Sequence, residues 1–282
     1  MGHRVKMMAP QFVKPYIKSS KNDVNDARGI AEAVTRPDMK FVPIKNIEQQ
    51  DILLLHRSRA LVIKQRTAQA NQIRGLLAEY GVIIPKGISH LEKLATILEE
   101  NKNKLTIKAQ MLFKRLNKQF KRYATEIKFY DKEIERQVKQ DARCLEVLKI
   151  EGVGALTASA MVASIADAKV FKNGRELSAW LGLVPKQHSS GNTVRLSSIS
   201  KRGDRYLRTL LIHGARSVVN TCETKTDRKN RWVADKKQRR GYNKAAVALA
   251  NKNARTIWSL LVTGECYRKP AVVKHNLRSL AA

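Results

Sequence analysis

The stretch TIKAQMLFKRLNKQFKRYATEIKFYDKEIERQVKQ, residues 106–140, holds no glycine or proline and repeats its apolar residues at steps of three and four. Leu112, Leu116, Phe120, Tyr123, Ile127, Tyr130, Ile134 and Val138 share one side of a helix at that period, so the stretch predicts one long helix with a single packing seam. Phe120, Tyr123 and Tyr130 lie on the seam itself, which makes them core residues before base-stacking ones. Residues 46–80 read the same way, with no proline and no glycine until Gly75, and Ile47, Leu54, Leu61 and Ala68 recur every seven residues. Two such helices predict an antiparallel coiled-coil hairpin decorated by Arg57, Arg59, Lys64, Arg66 and Arg74. Between them VIIPKGI (82–88) is a connector, and Ser89 with Glu92 reads as a capping box for a short helix to about Glu100.

Working outward, the fold class is mainly α, in two or three structural units over 282 residues. Lys and Arg total 55 against 24 Asp and Glu, a formal net charge of +31. Self-repulsion of that size calls for a polyanionic partner, and nucleic acid is the first candidate. The excess runs from Lys6 to Lys274, so no single solvated helix face accounts for it. No apolar run approaches transmembrane length, which argues against a membrane partner. Cys144, Cys222 and Cys266 lie far apart without metal-ligand spacing, so reduced thiols are expected. The N-terminus has no apolar core of signal-peptide length, and a cytoplasmic protein is expected.

Before the hairpin, Arg4 to Met8 reads as a short strand that breaks at Pro10 and Pro15, either the edge of a small sheet or the continuation of a larger fold. Ser19, Ser20 or Asn22 can then cap a helix running to about Val34. Asp23 and Asp26 are three residues apart, a spacing that puts both carboxylates on one helix face, within reach of a shared divalent metal. Acidic residues in a first turn also simply complement the helix dipole.

After the hairpin, Gly152 and Gly154 flank Val153 between two helical patterns, as in a helix-hairpin-helix element whose backbone N–H groups grip phosphate. A plain glycine-rich connection has the same appearance. Asn173 and Glu176 cap the helix ELSAWLGL, which leads to LVPKQHSSGNTVRLSSISKRGDRYLRTLL, residues 183–211. Ser189 and Ser190 read as loop residues with exposed hydroxyls, and Arg195, Lys201, Arg202, Arg205 and Arg208 follow closely. A nucleophile beside guanidinium groups points to phosphoryl transfer, whereas Ser-Ser-Gly alone is a common turn. His188 is near enough in sequence to help deprotonate a serine. The basic segment TKTDRKNRWVADKKQRRGY (224–242) is expected on a phosphate backbone. Asn243 is expected to cap a last helix with Ala246, Ala250, Ala254, Trp258 and Leu261 inward.

Three stretches together resemble one family: KNDVNDA (21–27), EGVGALTASAMVASI (151–165) and GLVPKQHSSGNTVRLSSISKRGDRYLRTLLIHGAR (182–216). Their order and spacing are similar to those of the insertion-sequence family 110 transposases, in particular the subgroup with QFVKPY (11–16) and VALANK (247–252). The likeness covers essentially the whole chain. It implies a DEDD-type enzyme with a RuvC-like domain of the ribonuclease H type and a transposase domain that supplies a serine nucleophile. On the matching motifs, Asp23 and Asp26 are two of the four tetrad acids and would hold Mg²⁺, and Ser190 is the nucleophile, with Ser189 the alternative. The resemblance further implies a phosphoserine link to DNA and a structured guide RNA, and a homo-oligomer is expected.

Members of that family carry an earlier segment bearing the other two acids, so an N-terminal truncation is expected, with Mg²⁺ held weakly or not at all and recombinase activity impaired. The expected division is a RuvC-like remnant at 1–43, the helical hairpin at 44–141, the serine-bearing domain with its helix-hairpin-helix at 142–266, and a flexible tail at 267–282. The alternative is a non-enzymatic nucleic-acid-binding protein in which Ser190 is only a turn residue.

Overall fold

Asn46 and Gln49 cap each other. The Asn46 side chain accepts from the Gln49 amide at 2.8 Å, and the Gln49 side chain accepts from the Asn46 amide at 3.1 Å. They open helix α3 (Ile47–Glu79) in a computed structural model that describes residues 5–17, 20, 22–37, 39, 41–191 and 193–269. Thr106 likewise caps α6 (Ile107–Gln140) by accepting from the Ala109 amide at 3.2 Å. The two long helices run antiparallel: Arg59 meets Asp131 near one end, and Tyr80 meets Phe113 edge-on near the other. At the Tyr80 end, α4 (Ile88–Glu92) and α5 (Leu94–Glu100) cover a core that includes Ile73, Leu77, Leu91, Leu94, Phe113 and Phe120. Gly87, with φ +119°, precedes α4 and no side chain caps it, so the box expected from Ser89 and Glu92 does not form.

The two long helices pair antiparallel as expected, but the seam expected on α3 is displaced by two residues. Ile47, Leu54 and Leu61 are 77, 62 and 56% exposed, and Ala68 also faces solvent. The buried line runs through Gln49, His56, Ala70, Ile73 and Leu77. On α6 the buried residues are Ala109, Phe113, Asn117, Phe120, Ile127, Ile134 and Val138, while Leu112 points outward. Polar residues hold seam positions on α3 because they find partners. Arg59 Nε donates to Asp131 Oδ1 at 2.6 Å across the hairpin, with the guanidinium 14% exposed.

His56, 2% exposed, ties α3 to the C-terminal body. Its Nε2 lies 2.9 Å from Ser159 Oγ and its Nδ1 2.9 Å from the Tyr206 hydroxyl. Ser159 Oγ donates its one proton to the Ala155 carbonyl at 2.9 Å, so it accepts from His56. The imidazole therefore carries its proton on Nε2 and accepts from Tyr206 at Nδ1. Burial, with the Arg59 charge beside it, pulls the His56 pKa from 6.5 down to about 4.

That body is α7 (Ala142–Leu148), α8 (Ala155–Ser164), α9 (Gly174–Trp180), α10 (Arg205–Thr221), α11 (Arg228–Arg240) and α12 (Tyr242–Thr263). Its centre is α8, in which Thr157 to Ala163 are all buried and whose small side chains admit α3, α6, α7 and α10 closely. Ala246, Ala250 and Ala254 face inward from α12 as expected, but its N-cap is Gly241, and Asn243 Oδ1 instead accepts from Arg216 at 3.2 Å. Between α9 and α10, strands β3 (Pro185–Ser190) and β4 (Thr193–Ile199) form an antiparallel hairpin.

At the other end, β1 (Met7–Met8) pairs antiparallel with β2 (Phe41–Val42), the small-sheet edge expected there; Arg4 lies outside the described residues. Helices α1 (Pro10–Val13) and α2 (Asp23–Val34) complete this unit. Gly29 of α2 sits where a Cβ would lie 2.8 Å from the Ile17 side chain. The described chain is thus mainly helical, with two two-stranded sheets. None of its helices is long and apolar enough to cross a membrane. Cys144, Cys222 and Cys266 are free thiols, and burial pushes the Cys144 thiol up to about 12. Of the tail expected over 267–282, residues 270–282 lie outside the described residues.

Two outcomes are expected. A Cβ on Gly214 of α10 would lie 1.9 Å from the Gly152 carbonyl oxygen. Gly214→Ala should therefore lose about 1–3 kcal/mol of stability, read as a lower thermal midpoint. For His56 the unfolded chain binds the extra proton between pH 6.5 and about 4, so its contribution is complete above pH 6.5 and lost as the pH falls toward 4. Urea titrations at pH 7 and pH 5 should differ by about 2 kcal/mol more in the natural chain than in His56→Gln.

Candidate functional site

The β3–β4 hairpin is held at its base by backbone against backbone. Helix α9 begins under Asn173, whose side chain accepts from the Arg175 and Glu176 amides at 3.0 and 3.1 Å, and it ends at Gly182, φ +71°. A Cβ on Gly182 would lie 2.2 Å from the Arg202 carbonyl oxygen, and one on Gly203, φ +77°, would lie 1.9 Å from that of Trp180. Only glycine fits at either place. With side chains out of the way, Ser200 N donates to Val184 O at 2.8 Å and Lys201 N to Gly182 O at 3.2 Å. Arg208 lies behind this crossing, 8% exposed, its Nη1 donating to Leu181 O and Arg202 O at 3.0 Å and to Asp204 O at 3.4 Å. Asp204 then caps α10 by accepting from the Tyr206 and Leu207 amides at 2.6 and 3.1 Å.

From that base the hairpin projects into solvent, with every residue of β3 exposed and only Ile199 of β4 partly covered. Ser189 and Ser190 are therefore strand residues and not loop residues. Ser189 pairs with Val194 and Ser190 with Thr193, the turn being made at Gly191, φ +55°. The pairing sorts the side chains. Residues directly opposite share a face, and alternate residues along a strand do too. Ser190 therefore shares a face with His188, Thr193 and Arg195, since His188 stands opposite Arg195. Ser189 is on the other face with Gln187, whose Nε2 donates to Ser189 Oγ at 2.9 Å, and with the exposed Val194 and Leu196.

Of the cations expected around the serine, Arg195, Lys201, Arg202 and Arg205 are exposed, and among the described residues none of the four is in an ion pair. Lys201 holds φ +55°, a left-handed conformation fixed by the crossing beneath it. Arg208 departs from the expected set, because its burial makes it the brace of the hairpin base.

The Gly152–Gly154 turn divides similarly. Gly152, φ +84°, is pressed against Gly214, and the preceding Glu151 carbonyl accepts from Lys229 Nζ and Asn253 Nδ2, both at 3.1 Å. Gly154 is exposed at the start of α8, with open space around it and no side-chain cap. The Glu151 carboxylate pairs with Lys225 and accepts from Asn230 Nδ2 at 2.9 Å. The basic segment 224–242 is therefore partly turned inward. Lys229 is 5% exposed and burial pushes its ammonium down, while Lys237 and Arg239 pair with Glu223 and Asp235.

Asp23 and Asp26 stand in the first turn of α2 under Asn22, which accepts from the Asn25 amide at 2.7 Å. Helix α2 packs on α1 and the 3-10 turn Lys14–Tyr16, and the β3–β4 hairpin packs on itself. Among the described residues no three His, Cys, Asp or Glu side chains gather as a metal cage. Mg²⁺ is commonly held by one or two carboxylates with water and phosphate oxygens completing its octahedron, so Asp23 and Asp26 can supply part of such a shell but not a closed cage.

Sequence reasoning missed a second basic surface, on the outer face of α12. Lys244, Ala248, Asn251, Lys252 and Arg255 line a groove with Arg175 of α9 and Trp232 of α11. Those α12 residues recur at i, i+3 and i+4, a spacing present in the sequence, but only the fold shows that Arg175 and Trp232 border the same face.

Two family models match separate stretches of the chain. The DEDD transposase family model of the IS110 type matches residues 2–82, and the model described as "Transposase IS116/IS110/IS902 family" matches residues 144–231. A probable family 20 transposase of Pseudomonas aeruginosa is 46% identical over 95% of this chain and 80% of its own length. The transposase for insertion sequence element IS1111A of Coxiella burnetii is 46% identical over 95% of this chain and 74% of its own, and that for IS1328 of Yersinia enterocolitica 37% over 95% and 80%. The chain belongs to the IS110/IS116 family of insertion-sequence transposases, proteins that act on DNA.

The two arginines separate experimentally. Arg208→Ala should lower stability by about 2–3 kcal/mol through the loss of buried charge-assisted hydrogen bonds. Arg195→Ala should leave it within about 0.5 kcal/mol, both read from denaturant midpoints.

Proposed function

We propose that this transposase cuts and joins DNA through Ser190. The observation that carries the reading is the strand register of the hairpin, in which Ser190, His188 and Arg195 fall on one face of a solvent-exposed arm. Ser190 Oγ attacks a DNA phosphorus. A P–O(serine) bond forms, a P–O(sugar) bond breaks, and the serine proton passes by way of His188 to the departing sugar oxygen. Arg195, opposite His188 on the same face, supplies positive charge where the phosphoryl oxygens gain negative charge, and Lys201, Arg202 and Arg205 at the hairpin base hold flanking phosphates of the same DNA. Ser189 is the weaker candidate because its hydroxyl faces away from His188 and Arg195.

Asp23 and Asp26 are the acidic residues assigned to metal-assisted chemistry by the DEDD resemblance, with Mg²⁺ the ion, and further carboxylates would be needed to complete a site. Residues 1–43 then form the acidic unit, 44–141 a coiled-coil spacer and 142–266 the serine-bearing unit, with the exposed Gly154 end of its α7–α8 helix-hairpin-helix toward phosphate. A guide RNA and a second copy of the chain are its further partners, and a cytoplasmic location fits them. The net charge of +31 supports two nucleic acids held at once, and the exposed stripe Ile47, Leu54 and Leu61 offers a face to a second copy.

Incubation with labelled element-end DNA, its RNA and Mg²⁺, followed by denaturing electrophoresis, tests the reading. A covalent adduct is expected from the natural chain and from Ser189→Ala and none from Ser190→Ala, with DNA affinity unchanged. An adduct that survives in Ser190→Ala overturns the assignment.

A further inference from the structure

The groove beside the serine hairpin has a composition that the chemistry at Ser190 does not use. It encloses about 1520 Å³ between α9, α12, Trp232 of α11 and the flank of β4 from Leu196 to Ile199. Its lining carries four cations, Arg175, Lys244, Lys252 and Arg255, and no aspartate or glutamate. All four cations are exposed, and among the described residues none is in an ion pair. This contrasts with the rear of the same body, where Lys225, Lys237 and Arg239 each have a carboxylate.

The groove is also built to keep its shape. A Cβ on Gly174 would lie 3.0 Å from Arg255 Cα, so α9 and α12 meet with no space for a side chain at that point. Asn251 Nδ2 donates to Leu183 O at 3.2 Å, fixing the strand that leads into β3 against α12. Trp258 Nε1 donates to the Ala168 and Phe171 carbonyls at 3.1 and 3.3 Å, so that indole belongs to the wall. Trp232 differs. It is half-buried, and the ammonium of Lys252 rests over its ring at 4.7 Å from the centroid.

We infer that this groove binds an unpaired polynucleotide strand, phosphates on Lys244, Lys252, Arg255 and Arg175 and a base on Trp232. Lys244 and Arg255 are separated by about 16 Å along the helix at 1.5 Å per residue, long enough for several phosphates of one strand to meet the track. A positively charged track combined with an aromatic ring is how single strands are held without sequence readout. A base stacking on Trp232 takes the place of Lys252 over the ring and frees that ammonium for phosphate. Since the other wall is β4, a strand in the groove runs alongside the arm that carries Ser190. The inference rests on the chain's action on nucleic acid and not on the chemistry of Ser190.

The test uses the full chain in a Ser190→Ala background, so that failure of the covalent chemistry cannot affect it. Fluorescence anisotropy is read with a 20-nucleotide DNA, an RNA of the same sequence and the corresponding DNA duplex, over a series of salt concentrations. A Lys244→Ala/Lys252→Ala/Arg255→Ala variant should bind the single strands about tenfold or more weakly. Its log–log salt slope should be shallower by about 2, the value for three phosphate contacts on a single strand. A control that removes three exposed charges of α6, Lys118→Ala/Arg122→Ala/Lys128→Ala, should change the single-strand slope by less than half as much. Trp232→Phe should retain binding better than Trp232→Ala, with both confirmed folded by thermal melts. Preference for DNA or for RNA names the source of the strand and supports the site either way. Equal losses in the groove variant and the α6 control, or a loss confined to the duplex, overturn it.

Discussion

At Gly214 a methyl group would lie 1.9 Å from the carbonyl oxygen of Gly152, and at Gly203 it would lie the same distance from that of Trp180. At both places one backbone passes directly over another. The first presses the α7–α8 turn onto α10, and the second presses the root of the serine hairpin onto the end of α9. Helix α10 serves both, with Gly214 in its middle and Asp204 as its cap, so the turn and the hairpin are positioned by one rigid element. The Arg208 guanidinium completes the second crossing by satisfying three carbonyls that the crossing leaves inside. A cation close in sequence to the serine hairpin thus acts on backbone geometry.

The division between inward and outward cations extends over the whole molecule. Lys229 and Arg208 are buried on carbonyl oxygens, and Lys225, Lys237 and Arg239 are matched by carboxylates. What remains exposed around the hairpin is concentrated on two surfaces, one at its root and one along α12. Exposed pairs contribute little to stability, so the matched cations matter mainly because they subtract from the outward field. The field that reaches a polyanion is narrower than a charge of +31 suggests.

The helices were legible in the sequence wherever apolar residues and caps agreed. The bounds of α6 and α3 follow from uninterrupted periodicity, and α12 from its alanine stripe. The face of α3 was not legible, because His56 and Arg59 look like surface residues until Tyr206, Ser159 and Asp131 are brought to them from far along the chain. The same limit applies to the site. Turn-forming composition at 188–192 suggested a loop, and only the partner strand, supplying Val194 opposite Ser189 and Thr193 opposite Ser190, converts it to a hairpin with two distinct faces. Local composition identifies the groups, and strand register, here between residues three to seven apart, decides which of them face each other.

The arm formed by β3 and β4 is rooted at two glycines and adds none of its strand residues to the buried clusters of the body. Its sequence is consequently released from the volume constraints that govern α8 or α10. In evolutionary terms, that decouples the rate at which the arm can diversify from the rate at which the scaffold can. Exposed positions of the arm that take no part in chemistry can change without disturbing the core, while Gly182, Gly203 and Arg208 are held by the backbone crossings they make possible.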